Sequence, residues 1–273
     1  MKLKALFTKF KIKRNIIMNN KKLSLRLLKY ELLNVSGNFF TIFFGLVFPI
    51  LMSIVFSRTL LKDLTGEIRA TTMTGLYISM SLILPLSILL IGYSVTYAQE
   101  LEKGVPLRMH LFGYKQSTML VARLIAYFIF MTGAFLIYTI VDCLVLDIQP
   151  PTLFAAICYI ITLYLLGIIL FILAHGIAGI LKKFGPTYAI AMSLYFTFMI
   201  LCGLMGIQVE NLPKALQKVA YTLPMTYVSK DYIDFWRGGS YNFAPVIQSF
   251  LFLGAVAVII LMYSLKKNGR IRK

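Results

Sequence analysis

Charge is scarce in this sequence, and one sign of it scarcer still. Only 14% of the 273 residues are charged, and 10 acidic side chains stand against 28 basic ones, giving a net charge of +18. By contrast, 59% of the residues are hydrophobic and the mean hydropathy is +0.81. A soluble domain of this length would not hide so much apolar surface. A nucleic-acid binder would need a solvated basic face with interleaved aromatics, whereas here the basic residues flank apolar runs, so no nucleic-acid partner is expected.

Cysteine is too sparse to build a scaffold. Cys143, Cys158 and Cys202 are odd in number, lie within apolar runs and form no CxxC spacing, so neither a disulfide framework nor a zinc site is expected. They read as small apolar packing residues. The sequence has no GxxxxGK[ST], HExxH or GxSxG motif. The chain therefore offers no P-loop for nucleotide phosphates, and if ATP is used, another subunit binds it.

What the sequence does have is six stretches of 18 or more residues without Lys, Arg, Asp or Glu. The reading is an all-α polytopic membrane protein whose spans fall at about 38–57, 72–97, 124–146, 152–180, 187–206 and 246–265. These spans make a transmembrane domain over 38–265, preceded by a basic segment at 1–37 and followed by a basic tail at 266–273. With a cytoplasmic N-terminus, 21 of the 28 Lys and Arg residues fall inside and 7 outside, which places both termini in the cytoplasm. Pro49 and Pro85 fall in mid-span and predict kinks in spans one and two, with Ser and Thr nearby to satisfy freed carbonyls.

The first 37 residues lack the apolar core and small-residue cleavage site of a secretory signal. Leu3, Leu6, Phe7 and Phe10 recur at helical spacing among lysines, and Leu23, Leu27, Tyr30 and Leu33 do so beside Lys22, Arg26 and Lys29. Both stretches predict amphipathic helices on an anionic membrane surface, with a disordered basic tail as the alternative. Met18 is an alternative start that would make the first of them dispensable.

Two connecting segments say more than topology. The loop between spans two and three, residues 98–123, mixes acidic, basic and apolar residues at near-helical spacing, which suits docking on a cytosolic partner. After span five, Asn211 can cap a short helix with Pro213 in its first turn and Leu212, Ala215, Leu216 and Val219 as its apolar stripe. Pro224 would end that helix, and a second short helix through Ile233 to Trp236 would stop at Arg237-Gly238-Gly239. Neither can cross a bilayer, so the expectation is a partly embedded hairpin at the outer surface between spans five and six.

At these two places the chain resembles the permease subunits of ABC-2 type transporters, the type V exporter fold, over about residues 23–265. Glu100, Glu102, Gly104 and Arg123 stand where that family carries an acidic element, a glycine and a basic residue opening span three, although Val105 replaces the usual threonine. Leu212, Pro213, Leu216, Ala220, Pro224, Thr226 and Tyr227 match its outer signature.

The resemblance implies that two permeases, identical or paralogous, pair with two copies of a separate ATPase that binds ATP and magnesium. It implies an inner coupling helix in the ATPase cleft, within a segment that holds Glu100, Glu102, Gly104, Leu107, Arg108, Leu111 and Tyr114. It implies a path at the dimer interface lined by Tyr77, Ser81, Leu84 and Ile88 of span two and by Tyr195, Phe198, Met199 and Cys202 of span five. Those soft apolar and aromatic positions suit a lipophilic or amphipathic cargo (a drug, toxin, antimicrobial peptide or lipid) leaving a bacterial cell through its plasma membrane. A lipid-linked polysaccharide is the alternative, disfavoured by a single Trp in the chain and few stacked aromatics suited to sugar rings.

Asp142 and His175 are ionisable residues within spans, near opposite membrane faces, and are candidates for gating or proton coupling. An ion-gradient carrier or channel would be expected to show an inverted repeat and clustered mid-membrane charges, which are not found. An intramembrane enzyme is disfavoured because this one His and one Asp lie too far apart to act as a catalytic pair. Replacing Glu100 or Glu102 with alanine is expected to uncouple a partner ATPase without unfolding the spans.

Overall fold

The computed structural model describes residues 23–59, 61–206 and 208–271. The amphipathic stretch expected from Leu3 to Phe10, and Met18, lie outside these residues. Among the described residues the regular elements are helical, and six helices are long and apolar enough to cross a membrane. In chain order the helices are α1 (Leu25–Ser36), α2 (Phe39–Thr59, span one), α3 (Gly66–Glu102, span two) and α4 (Val105–Leu111). They continue with α5 (Gln116–Val145, span three), α6 (Leu153–Leu181, span four) and α7 (Phe184–Leu201, span five). The last are α8 (Lys214–Ala220), α9 (Pro224–Trp236) and α10 (Phe243–Ile271, span six).

Spans two and three run several residues past the limits expected from charge. A charged residue ends the hydrocarbon-compatible run but not the helix: at 37 residues, α3 is roughly 55 Å long and overshoots a 30 Å core. Span five is shorter than expected and stops at Leu201. Gly203 and Gly206, at φ 73° and 78°, take the left-handed conformation just beyond it, which a residue with a Cβ rarely adopts.

Both in-span prolines sit beside widened turns. Pro49 follows a π-helical turn at Phe43–Val47, and Pro85 precedes one at Leu86–Tyr93. Proline cannot donate to the carbonyl four residues back, and the helix adjusts its hydrogen bonding locally. Hydroxyls occupy carbonyls nearby: Ser87 Oγ donates to Ile83 O at 2.7 Å and Thr96 Oγ1 to Gly92 O at 2.8 Å.

Span two is the hub of the bundle. In its most apolar 18-residue stretch, 83% of residues are buried, against 22–44% in the other five spans. Spans one, four and five and helix α9 pack around it, and span six completes the bundle by lying along span four. Gly92 allows the closest approach, because the Thr41 side chain of span one occupies the place a Cβ would take.

The six spans leave both described termini at one end of the bundle, here the terminal end, with the 209–236 segment at the other, the hairpin end. At the hairpin end two expectations are corrected. Asn211 closes a short 3-10 turn rather than capping α8, whose start is held by the Gln217 side chain donating to Glu210 O and Leu212 O. Pro224 opens α9 instead of ending α8, because its missing N–H costs nothing in a first turn. The expected stripe of α8 is largely exposed at Ala215, Leu216 and Val219. Helix α9 buries Met225, Val228, Tyr232, Phe235 and Trp236, and the Trp236 indole donates to Gln149 O at 2.7 Å, tying it to the span three–four turn.

Candidate coupling site

A buried polar cluster lies at the terminal end and is assembled from three helices. Ser24 caps α1 by accepting a hydrogen bond from Leu27 N at 3.3 Å, which fixes the phase of that helix. The buried face is then Leu27, Glu31 and Val35, which packs on span three. This corrects the expected apolar face: Leu23, Tyr30 and Leu33 are exposed, as suits a helix lying at a lipid boundary, and an acidic residue points into the protein.

Glu31 is only 1% exposed, and its Oε1 lies 3.3 Å from the Arg123 Nε at the start of span three. The Nη2 of the same guanidinium contacts Glu100 Oε2 near the end of span two. Asn34 completes the network by donating to Glu100 Oε1 at 2.9 Å. Arg123 also sits over the Tyr97 ring, 5.1 Å from its centroid. Burial pushes the Glu31 carboxyl up to about 7 against the pull of Arg123. Two carboxyls share one guanidinium, and a buried net negative charge is relieved if Glu31 takes a proton.

A second layer lies beside the first. Tyr97 stacks on His175 of span four with centroids 4.5 Å apart, and the Tyr93 hydroxyl lies 2.6 Å from His175 Nδ1. Tyr93 stacks in turn on Phe171 at 4.1 Å. His175 is thus enclosed in an aromatic stack at the terminal end, whereas Asp142 is buried near the hairpin end of span three.

Beyond Glu102, Gly104 at φ 67° reverses the chain into α4, and Gly113 at φ 90° returns it to span three. Helix α4 buries none of its residues. Leu107 and Leu111 are each 66% exposed and Phe112 is 68% exposed, which forms an apolar patch that no element among the described residues covers. Arg108 folds back so that its Nη2 donates to Lys103 O at 3.1 Å, and Tyr114 is half-buried where the chain turns into span three. Glu102 Oε2 accepts from Phe184 N at 2.9 Å, fastening the root of α4 to the start of span five.

These positions divide the expected coupling residues into two groups. Leu107, Arg108 and Leu111 stand on the open face. Glu100 does not: it is buried against Arg123, and any influence on a partner passes through that contact. The sequence marks Asn34 only as the start of an Asn34-Val35-Ser36 sequon, set aside as cytoplasmic, and Glu31 looks like one polar residue of a basic helix. Its spacing of four from both Leu27 and Val35 is the signal that could have found it.

The eight residues expected to line a path are all buried within the protomer: Tyr77, Ser81, Leu84 and Ile88, and Tyr195, Phe198, Met199 and Cys202. In this conformation they hold spans together. Tyr77 stacks on Tyr138 at 5.4 Å, Ser81 contacts the Tyr159 hydroxyl, and Tyr195 meets Phe44 edge-on at 5.8 Å. Because the apolar stretch of span two is largely enclosed, its residues face neighbours and leave no open channel along it among the described residues. A cavity of about 500 Å³ does open at the hairpin end, between Cys202, Gly203, Gly206, Val209 and the Glu210–Lys230 ion pair. Among the outer residues, Thr226 Oγ1 donates to Ala220 O at 2.6 Å and the Tyr227 hydroxyl to Tyr221 O at 2.9 Å, closing the α8–α9 turn. Leu212 is half-buried and Pro213 exposed just before α8.

Comparison with individual curated proteins finds no match. The family model for ABC-2 type transporters matches residues 23–230, from the start of α1 through most of α9. This range holds the buried network, helix α4 and the first five spans. The chain therefore belongs to the ABC-2 type transporter family and is the membrane-spanning component of an ABC transporter, a role that implies association with an ABC ATPase.

Proposed function

We propose that the chain is the permease subunit of an exporter that moves a lipophilic or amphipathic cargo out of a bacterial cell. The terminal end lies in the cytoplasm and two copies of a separate ATPase, carrying ATP and magnesium, dock there. A second permease, identical or paralogous, completes the transporter. The observation that carries this reading is the bare apolar face of α4 at Leu107, Leu111 and Phe112, set on the root of the most buried helix in the molecule. The excess of basic residues at the same end supports its cytoplasmic placement.

Force applied to α4 has a short route inward. Gly104 joins α4 directly to span two, Glu102 joins the same point to span five, and Glu100 with Arg123 joins it to span three and α1. A push from closing ATPases would therefore move these helices as a connected group, as rigid-body transitions require.

The experiment is co-purification with the ATPase of the native host. Leu107→Glu with Leu111→Glu is expected to abolish co-purification and cargo-stimulated ATP hydrolysis while leaving the thermal melt of the permease unchanged. Undiminished association in that variant would overturn the assignment of α4.

A further inference from the structure

Spans one and three cross the membrane in the same direction, and their contact defines a register. Ser53 of span one meets Tyr138 of span three, with Oγ and hydroxyl 3.4 Å apart. One helical turn further towards the hairpin end, span one presents Ser57 and span three presents Asp142. All four side chains are buried. No hydrogen bond of ordinary length reaches Ser57 Oγ or either carboxylate oxygen of Asp142 among the described residues, and the Tyr138 and Ser53 hydroxyls are the polar groups that face the carboxyl.

The groups that face Asp142 offer no positive charge. Tyr138 and Cys143 come from its own span, Ser53 from span one and Tyr77 from span two. The Tyr138 hydroxyl already donates to Tyr77 O at 3.0 Å, and the Tyr77 hydroxyl lies 2.9 Å from Thr139 Oγ1. The three arginines at this end are placed elsewhere: Arg69 pairs with Asp147 at 2.9 Å, Arg237 pairs with Glu67, and Arg58, beside Ser57, is exposed. An ionised carboxylate here would be a buried charge with no counter-charge, among the most costly groups to hold in a membrane protein. A carboxylic acid would instead supply the donor that the facing serine hydroxyls can accept.

We propose that Asp142 is a proton-binding site, whose carboxyl O–H donates to a serine hydroxyl of span one and latches the ends of spans one and three together. The proton comes from and returns to water at the hairpin end, since Asp142 lies within one turn of the end of span three at Val145. No other reactant is needed. Loss of the proton would put a charge between the two spans and break the latch. This inference does not depend on the cargo or on the ATPase.

Infrared spectroscopy of the full-length protein with carboxyl-13C aspartate provides the test. Asp142 is the one buried aspartate of five, the others being the exposed Asp63, Asp147, Asp231 and Asp234. The expected result is a protonated-acid carbonyl band at pH 7 that shifts with the aspartate label and disappears in Asp142→Asn. Ser53→Ala with Ser57→Ala should move the band, because the acid loses its hydrogen-bond acceptors. Absence of a label-sensitive acid band at pH 7 would overturn the proposal, as would a band abolished by adding sodium, which would mark a cation site. A band insensitive to the two serine changes would overturn the latch. The labelled wild-type protein decides the first point even if Asp142→Asn fails to fold.

Discussion

Glu102, the last residue of span two, accepts a hydrogen bond from the backbone N–H of Phe184, the first residue of span five, at 2.9 Å. A carboxylate at a helix start satisfies an orphan donor and opposes the positive end of the helix dipole. The contact is exposed, so its loss should affect motion more than folding.

Glu102→Ala is accordingly expected to cost no more than about 1 kcal/mol of stability, the scale of a lost helix cap. Cargo-stimulated ATPase activity of the reconstituted complex should fall while the melting temperature moves little. Equal activity in the variant and the wild type would show that spans two and five need not move together.

Arg123→Ala is expected to be far more damaging. It leaves Glu31 and Glu100 buried without their shared partner, a situation that costs about 3–5 kcal/mol. A thermal scan in detergent should show a large loss of stability. Adding Glu31→Gln and Glu100→Gln to Arg123→Met should recover much of it, because an apolar side chain beside two neutral amides leaves no buried charge. Glu100→Ala, by contrast, leaves Arg123 its contact with Glu31, so the expectation that this change spares the fold is retained.

The Glu31 carboxyl makes stability depend on pH in a defined window. Its pKa rises from 4.5 in the unfolded chain to about 7 in the folded one, so between these values the folded state binds the extra proton. Stability from this group is therefore full below 4.5, declines as pH rises through the interval and is flat above about 7. Melting temperatures measured from pH 4.5 to 8 should decline less steeply for Glu31→Gln than for the wild type. Parallel profiles for the two proteins would disprove the shift.

Gly92→Ala is expected to destabilise by about 1–3 kcal/mol, the usual cost of overpacking a full site. The added methyl would meet the Thr41 side chain where spans one and two touch. Thr41→Ala in the same protein should restore part of the loss, and strict additivity of the two changes in a melting experiment would show that the contact is not shared.

The six spans and the short helix α4 could be read from residue order because each depends on a local pattern. A run such as Leu153–Leu181 has no alternative but to be buried in lipid or protein, and Gly104 and Gly113 punctuate the chain on either side of α4. The buried network could not be read in this way. Glu31, Asn34, Glu100 and Arg123 come from three separate helices, and no periodicity records that their side chains converge. The apolar face of α1 misled for a related reason: lipid accepts Leu33 and Tyr30 as readily as a protein core does, so hydrophobicity alone cannot say which side of an interfacial helix faces the protein.

The amino-acid sequence by itself determined that this is a membrane protein of six apolar helices with an uneven distribution of basic residues, since hydrocarbon imposes length and composition on any chain that crosses it. Tertiary structure alone decided that span two is enclosed and that Tyr77 and Tyr195 are buried within the protomer. It also left both carboxylate oxygens of Asp142 buried, with no hydrogen bond of ordinary length among the described residues. Those outcomes depend on which helices become neighbours and in what register, and van der Waals packing and interhelical hydrogen bonds set both only when the bundle assembles.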